Sequence, residues 1–255
     1  MTVAGFDLSL LMIPMVVGIL VTVTHVPLGQ EVLAKGIIFM DIAIAQFAGF
    51  GVILADAVGF EPHGWAVQFS AAGAALLGSL LLNWTERRWP EVQEALIGVG
   101  FVLASTGGIL VLSNNPHGAE HLKDLLVGQI IWVLPREVAG HGLLYALLLV
   151  AWFGFRERLG RAGFYIVFAL AVTASVQLVG VFLVFATLIL PALATRRLEG
   201  PVRLWVSYAL GIASYAGGLV LSAAYDLSTG AIIVWVFIAL SIALGFGIGA
   251  ARRAA

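Results

Sequence analysis

Nine apolar runs, each bounded by polar or turn-forming residues, divide the chain: 7–24, 36–59, 65–83, 92–113, 139–155, 163–178, 180–195, 204–224 and 230–250. A helix needs about 20 mostly apolar residues to cross a hydrocarbon layer about 30 Å thick. The pattern therefore predicts an all-α polytopic protein with about nine transmembrane helices. Two regions break the regularity. The run 125–134, LLVGQIIWVL, has ten residues between Asp124 and Pro135 and reads as a short re-entrant half-helix. The stretch from Gly163 to Thr195 is long for one crossing and short for two at about 1.5 Å per residue. It predicts a tight reversal near Gly180, with eight spans as the alternative count.

The basic residues orient these runs. With nine spans and a cytoplasmic C-terminus, Lys35, Arg87, Arg88, Arg156, Arg158, Arg161, Arg196, Arg197, Arg203, Arg252 and Arg253 share the cytoplasmic side, and only Lys123 and Arg136 lie outside. That is the positive-inside bias, and it puts the N-terminus outside. The first 34 residues carry no Lys or Arg, so a cleaved signal peptide is not expected.

Composition agrees: 61% of the 255 residues are hydrophobic and 11% charged, with a mean hydropathy of +1.05. So much apolar surface excludes a water-soluble chain and predicts one membrane domain, 1–255, in contact with lipid. There is no cysteine, so any metal must be held by His, carboxylate, amide or backbone oxygen. Neither lysine precedes Ser or Thr, so the chain has no phosphate loop, and any ATP must be bound by another subunit.

Three clusters could carry chemistry. Asp41 and Gln46 stand inside the run 36–59. A carboxylate there costs about 2.5–3.5 kcal/mol on insertion scales unless it faces protein or water. Asp41 can line a cation path or hydrogen-bond a neighbouring helix; Gln46, five residues on, lies about 140° further round the helix. The second cluster is NPHGAEHLKD, 115–124. On a helix His117, Glu120 and His121 share one face, as an outer metal hand-off site, a solvated turn, or the HxxEH spelling of a zinc protease. No soluble domain supplies the rest of a protease, so an intramembrane metalloenzyme is the least favoured reading. His25 and His141 are expected at span ends. The third is LPALATRRLEGPVRLW, 190–205, where Pro191 and Pro201 bracket a short amphipathic helix carrying Arg196, Arg197 and Glu199, with Arg203 just beyond. It suits either docking onto a cytoplasmic partner or an ordinary positive-inside loop.

Together, HVPLGQEVLAKGIIFMDIAIAQFAGFG (25–51), DLLVGQIIWV (124–133) and SVQLVGVFLVFATLILPALATRRL (175–198) resemble signature regions of the permease subunits of bacterial ABC transporters for zinc, manganese or iron. The third is the most specific: Val-Gly, an aliphatic run, Leu-Pro-Ala, then basic residues. The resemblance implies the fold of the cobalamin and siderophore permeases, a permease homodimer, and a place in the bacterial inner membrane. It implies a cytoplasmic ATPase docked at 191–203 and an extracytoplasmic solute-binding protein. A divalent metal ion is then the cargo; the chain itself is no enzyme, has no cofactor and binds no nucleic acid. Relatives carry Asp and His four residues apart in the second span; here Ala45 follows Asp41 at that spacing, with Gln46 the nearest polar group. Import of a metal chelate or another small solute is therefore the alternative.

Overall fold

In a bilayer core only helices or closed barrels can satisfy every backbone polar group, and this chain takes the first route. The computed structural model describes residues 2–3, 6–60, 65–113, 126–128 and 130–254. Its helices are α1 (Met12–Lys35), α2 (Met40–Ala57), α3 (Trp65–Arg88), α4 (Gln93–Leu112, after a 3-10 turn Pro90–Val92), α5 (Pro135–Phe155), α6 (Glu157–Val179), α7 (Val181–Ala194), α8 (Gly200–Tyr225) and α9 (Thr229–Ala254). All but α7 are long and apolar enough to span. The sole β pairing among the described residues is Thr2–Val3 with Phe6–Asp7.

Four local expectations are corrected. The first run, placed at 7–24, is a helix from Met12 to Lys35 that continues through Pro27. A proline removes the hydrogen bond to the carbonyl four residues back, here that of Val23, which instead accepts from the Tyr208 hydroxyl at 3.3 Å. The same extension moves His25 from a span end into a fully buried position. The expected break at Gly180 is present, with φ 81°, but α7 has only 14 residues. At 1.5 Å each it reaches about 21 Å, short of the hydrocarbon thickness. The expected half-helix at 125–134 lies partly outside the described residues; those described there are a helical Leu126–Val127 pair, Gly128 at φ 71° and a 3-10 turn Ile130–Trp132, and this expectation is not among the four. Lastly, no amphipathic helix lies between the prolines. Pro191 is inside α7, Thr195–Glu199 is a turn, and Gly200 and Pro201 open α8.

The residues fall into two compact units. In the first, α1 packs on α7 and α8, and α9 on α7 and α8. Small residues let these backbones approach. A Cβ on Gly18 would strike the Tyr215 ring, and one on Gly29 the Leu188 carbonyl. Tyr215 is buried edge-on to Phe237, with its hydroxyl 3.0 Å from Thr187 Oγ1. Gly128 and Gly180 meet backbone to backbone, leaving no room for a side chain on either.

In the second unit α2 packs against α3 and α4. Gly78 lies under the Phe47 ring, and Gly51 abuts the Ser70 backbone, whose hydroxyl donates to the Gly51 carbonyl at 2.6 Å. Gln93, at the start of α4, is buried and fully used: its amide donates to the Leu82 carbonyl at 2.9 Å and accepts from Thr85 at 2.9 Å. That network fixes the first turn of α4 against the end of α3.

Candidate functional site

Asp41 sits in the first turn of α2, because Gly36 at φ 71° turns the chain and delays the helix to Met40. The expectation of a carboxylate well inside the span is thus corrected to one at its N-terminal end. Unpaired first-turn N–H groups and the positive end of the helix dipole favour a negative charge there. Asp41 is nonetheless only 1% exposed, and its Oδ1 has no hydrogen-bond partner among the described residues.

The sequence did not single out its neighbour. Glu94, in the first turn of α4, stands within electrostatic reach of Asp41. Its Oε1 accepts from the Phe39 N–H at 3.2 Å, so Glu94 caps α2 across the helix pair. Its Oε2 is buried and, like Asp41 Oδ1, unpartnered among the described residues. Two helix starts on one side of the α2–α4 pair thus present two carboxylates with a free buried oxygen each. Such a pair repels unless a cation or proton stands between them, and hard oxygen ligands suit Mg-, Mn- or Fe-like cations better than soft ones.

Gln46 is half-buried on α2, and the residue that shares the Asp41 face one turn on is the buried Ala45. The described residues contain no group of three or more His, Asp or Glu placed to hold a metal. His117, Glu120 and His121 lie outside the described residues. His25 is buried on α1 with Nδ1 3.0 Å from the Val21 carbonyl and Nε2 unpartnered among the described residues. His141 bonds the Glu137 carbonyl at 2.7 Å.

The basic turn is held firmly. Thr195 is buried, donates to the Pro191 carbonyl at 2.7 Å and lies 2.8 Å from the Ser207 hydroxyl. Ser207 also receives the Gln30 amide at 3.3 Å, which ties the turn to α1. Arg203 reaches back to the Ala192 carbonyl at 3.5 Å. Arg196, Arg197 and Glu199 are exposed at the tip.

A polytopic helical chain with paired carboxylates at helix starts and a braced, exposed basic turn has the make-up of a membrane permease subunit. The chain belongs to the ABC 3 transport family, whose profile matches residues 7–162 and 153–246, and it is a multi-pass protein of the bacterial inner membrane. An uncharacterised membrane protein of Synechocystis is 26% identical over 91% of this chain and 88% of its own length. A Haemophilus influenzae protein named for an iron transport system is 27% identical over 78% and 79% of the two chains. The manganese transport system membrane protein MntC of Halalkalibacterium halodurans is 24% identical over 82% and 77%. Among solved structures, PsaBC from Streptococcus pneumoniae in complex with Fab shares the fold, with a TM-score of 0.74 and 18% identity over 92% of this chain and 90% of that one. An ABC transporter described as of metal-chelate type, captured facing inward, has a TM-score of 0.63 at 15% identity over 92% and 85%.

Proposed function

We propose that this chain is the membrane-spanning subunit of an ABC importer for a divalent metal ion, zinc, manganese or iron, driven by a separate ATPase. The observation that supports it most is the pair of buried, unpartnered carboxylate oxygens on Asp41 and Glu94. A pair of this kind makes a transient resting place for a cation: two hard oxygen ligands attract it, and with no larger ligand group among the described residues it stays free to leave. The iron and manganese names of the relatives fit a cargo with oxygen-ligand chemistry.

Four parts complete the reading. The ATPase docks at the turn bearing Arg196, Arg197 and Glu199, braced by Pro191 and Arg203, and passes its closure to α7 and α8. A solute-binding protein delivers the ion on the outer side, where His117, Glu120 and His121 would concentrate it. Two copies of the chain form the permease dimer, and Gln46 lines the path beyond Asp41. The chain acts through binding and conformational change, with no catalytic residue and no resident cofactor. Import of a metal chelate is the second reading, favoured by Ala45, which offers no imidazole on the Asp41 face.

Copurification with the ATPase, followed by ATP hydrolysis with and without metal-loaded binding protein, tests the reading. Loaded binding protein should stimulate hydrolysis in the wild-type complex and fail to do so after Asp41→Asn. Equal stimulation in both would remove Asp41 from the path.

A further inference from the structure

Neither helix start that carries the carboxylate pair is capped from within. Phe39 stands at the N-cap of α2 and Val92 at that of α4, and neither offers a side-chain hydrogen bond. First-turn N–H groups have no intrahelical partner, so an uncapped start frays or shifts unless something else holds it. For α2 that hold is Glu94, which reaches across to the Phe39 N–H. For α4 it is Gln93, the residue before Glu94. Gln93 is 4% exposed; its Nε2 donates to the Leu82 carbonyl at 2.9 Å and to the Tyr165 hydroxyl at 3.5 Å, and its Oε1 accepts from Thr85 at 2.9 Å. Thr85 and Tyr165 are buried as well.

We propose that Gln93 is the positioning residue of the Asp41–Glu94 cation site: it sets the direction of the Glu94 carboxylate and with it the affinity for a divalent ion, a proposal that rests on the importer reading. Consecutive residues lie about 100° apart round a helix. With Gln93 drawn toward α3 and α6, Glu94 is turned away from them to the start of α2. A rotation of this helix start by about 20° carries a carboxylate about 6 Å from the axis through about 2 Å. Oxygen ligands hold hard divalent ions at about 2.0–2.6 Å, so a slip of that size removes a ligand. A site of two carboxylates has none to spare.

Gln93 is not itself a ligand. Both polar atoms of its amide are engaged, and an ion would have to break those bonds to reach them. It acts through Glu94, as the partners that orient metal ligands do in general; breaking such a partner costs about 10–100-fold in metal affinity. Gln93, Thr85 and Tyr165 all lie buried within the second unit of one chain. Neither a second copy nor an ATPase at the Arg196–Arg197 turn therefore competes for them.

The test uses the full-length purified chain with Mn²⁺ as the probe, bound ion being read from the loss of the free-ion EPR signal. Gln93→Met, of similar size but unable to make either bond, should weaken Mn²⁺ binding about tenfold. Thr85→Val should weaken it in the same direction, while Thr85→Ser, which keeps the hydroxyl, binds as wild type. Gln93→Met added to Glu94→Gln should bring no further loss, because effects that pass through one group do not add. Ser70→Ala breaks another bond between α2 and α3, away from the carboxylates, and should leave the affinity unchanged. The proposal is overturned if Gln93→Met and Thr85→Val bind as wild type, or if the Gln93 and Glu94 losses add in full. It is also overturned if Ser70→Ala weakens binding as much, which would make Gln93 a packing lock only. Asp41→Asn separates the two readings. Full-strength binding in that variant would take the carboxylate pair out of the importer reading and this proposal with it; a loss there with none in Gln93→Met would overturn the positioning role alone.

Discussion

At the scale of single residues, the proposed cation path rests on two carboxylates of unequal legibility. Asp41 stands out in the sequence because it interrupts an apolar run. Glu94 does not: it stands at the start of the apolar run 92–113, just after Pro90, Glu91 and Gln93, where a polar residue draws no notice, and only the packing of α4 on α2 brings it to Asp41. His25 lies just past the apolar run 7–24, yet it is buried because α1 continues through Pro27 to Lys35, with Tyr208 donating to the Val23 carbonyl. Two predictions follow at this scale. Glu94→Gln keeps an oxygen to accept from Phe39 but loses the charge, so metal uptake at limiting concentration should fall by about tenfold or more, equivalent to about 1.4 kcal/mol. Wild-type uptake in that variant would make Glu94 only a helix cap. Tyr208→Phe leaves the Val23 carbonyl without its partner, a loss of about 1 kcal/mol. A thermal-unfolding series in detergent should show a lower midpoint for the variant, and an unchanged midpoint would mean that carbonyl is satisfied another way.

At the scale of elements, the apolar runs located the helices but not their ends. Hydropathy reports which residues tolerate lipid, whereas α1 owes its last two turns to partners such as Ser207 and Tyr208, which lie far along the chain. The prolines at 191 and 201 suggest breaks that would isolate a short helix between them, but Pro191 sits in the last turn of α7 and Pro201 in the first turn of α8, where its missing N–H has no intrahelical partner to lose. The contact of α1 with α7 has a sharp test. A methyl on Gly29 would fall on the Leu188 carbonyl, so Gly29→Ala must push the helices apart. Overpacking of this kind costs about 1–3 kcal/mol, and the variant should give a lower yield of monodisperse protein than Gly73→Ala, whose added Cβ meets nothing within 4 Å. Equal behaviour of the two would contradict the close approach.

At the scale of the whole molecule, the proposed coupling to a separate ATPase runs through the braced basic turn after α7. Replacing both Arg196 and Arg197 by Glu reverses the charge of that turn without touching the Thr195–Ser207 bonds that hold it. Like charges brought together at an interface cost several kcal/mol, so the inserted double variant should lose its ATPase on purification. Full retention would reduce the turn to a positive-inside loop. The family and the helical architecture were legible from three sequence segments; the partnership of Asp41 with Glu94 was not, because it depends on where two helices begin relative to each other. The central claim, ATP-driven movement of a divalent metal past Asp41, is tested most directly in proteoliposomes holding the permease, its ATPase and the loaded binding protein. Labelled metal should accumulate only with ATP and should fall to background in Asp41→Asn while the complex stays assembled. Accumulation without ATP, or equal accumulation in wild type and variant, would contradict it.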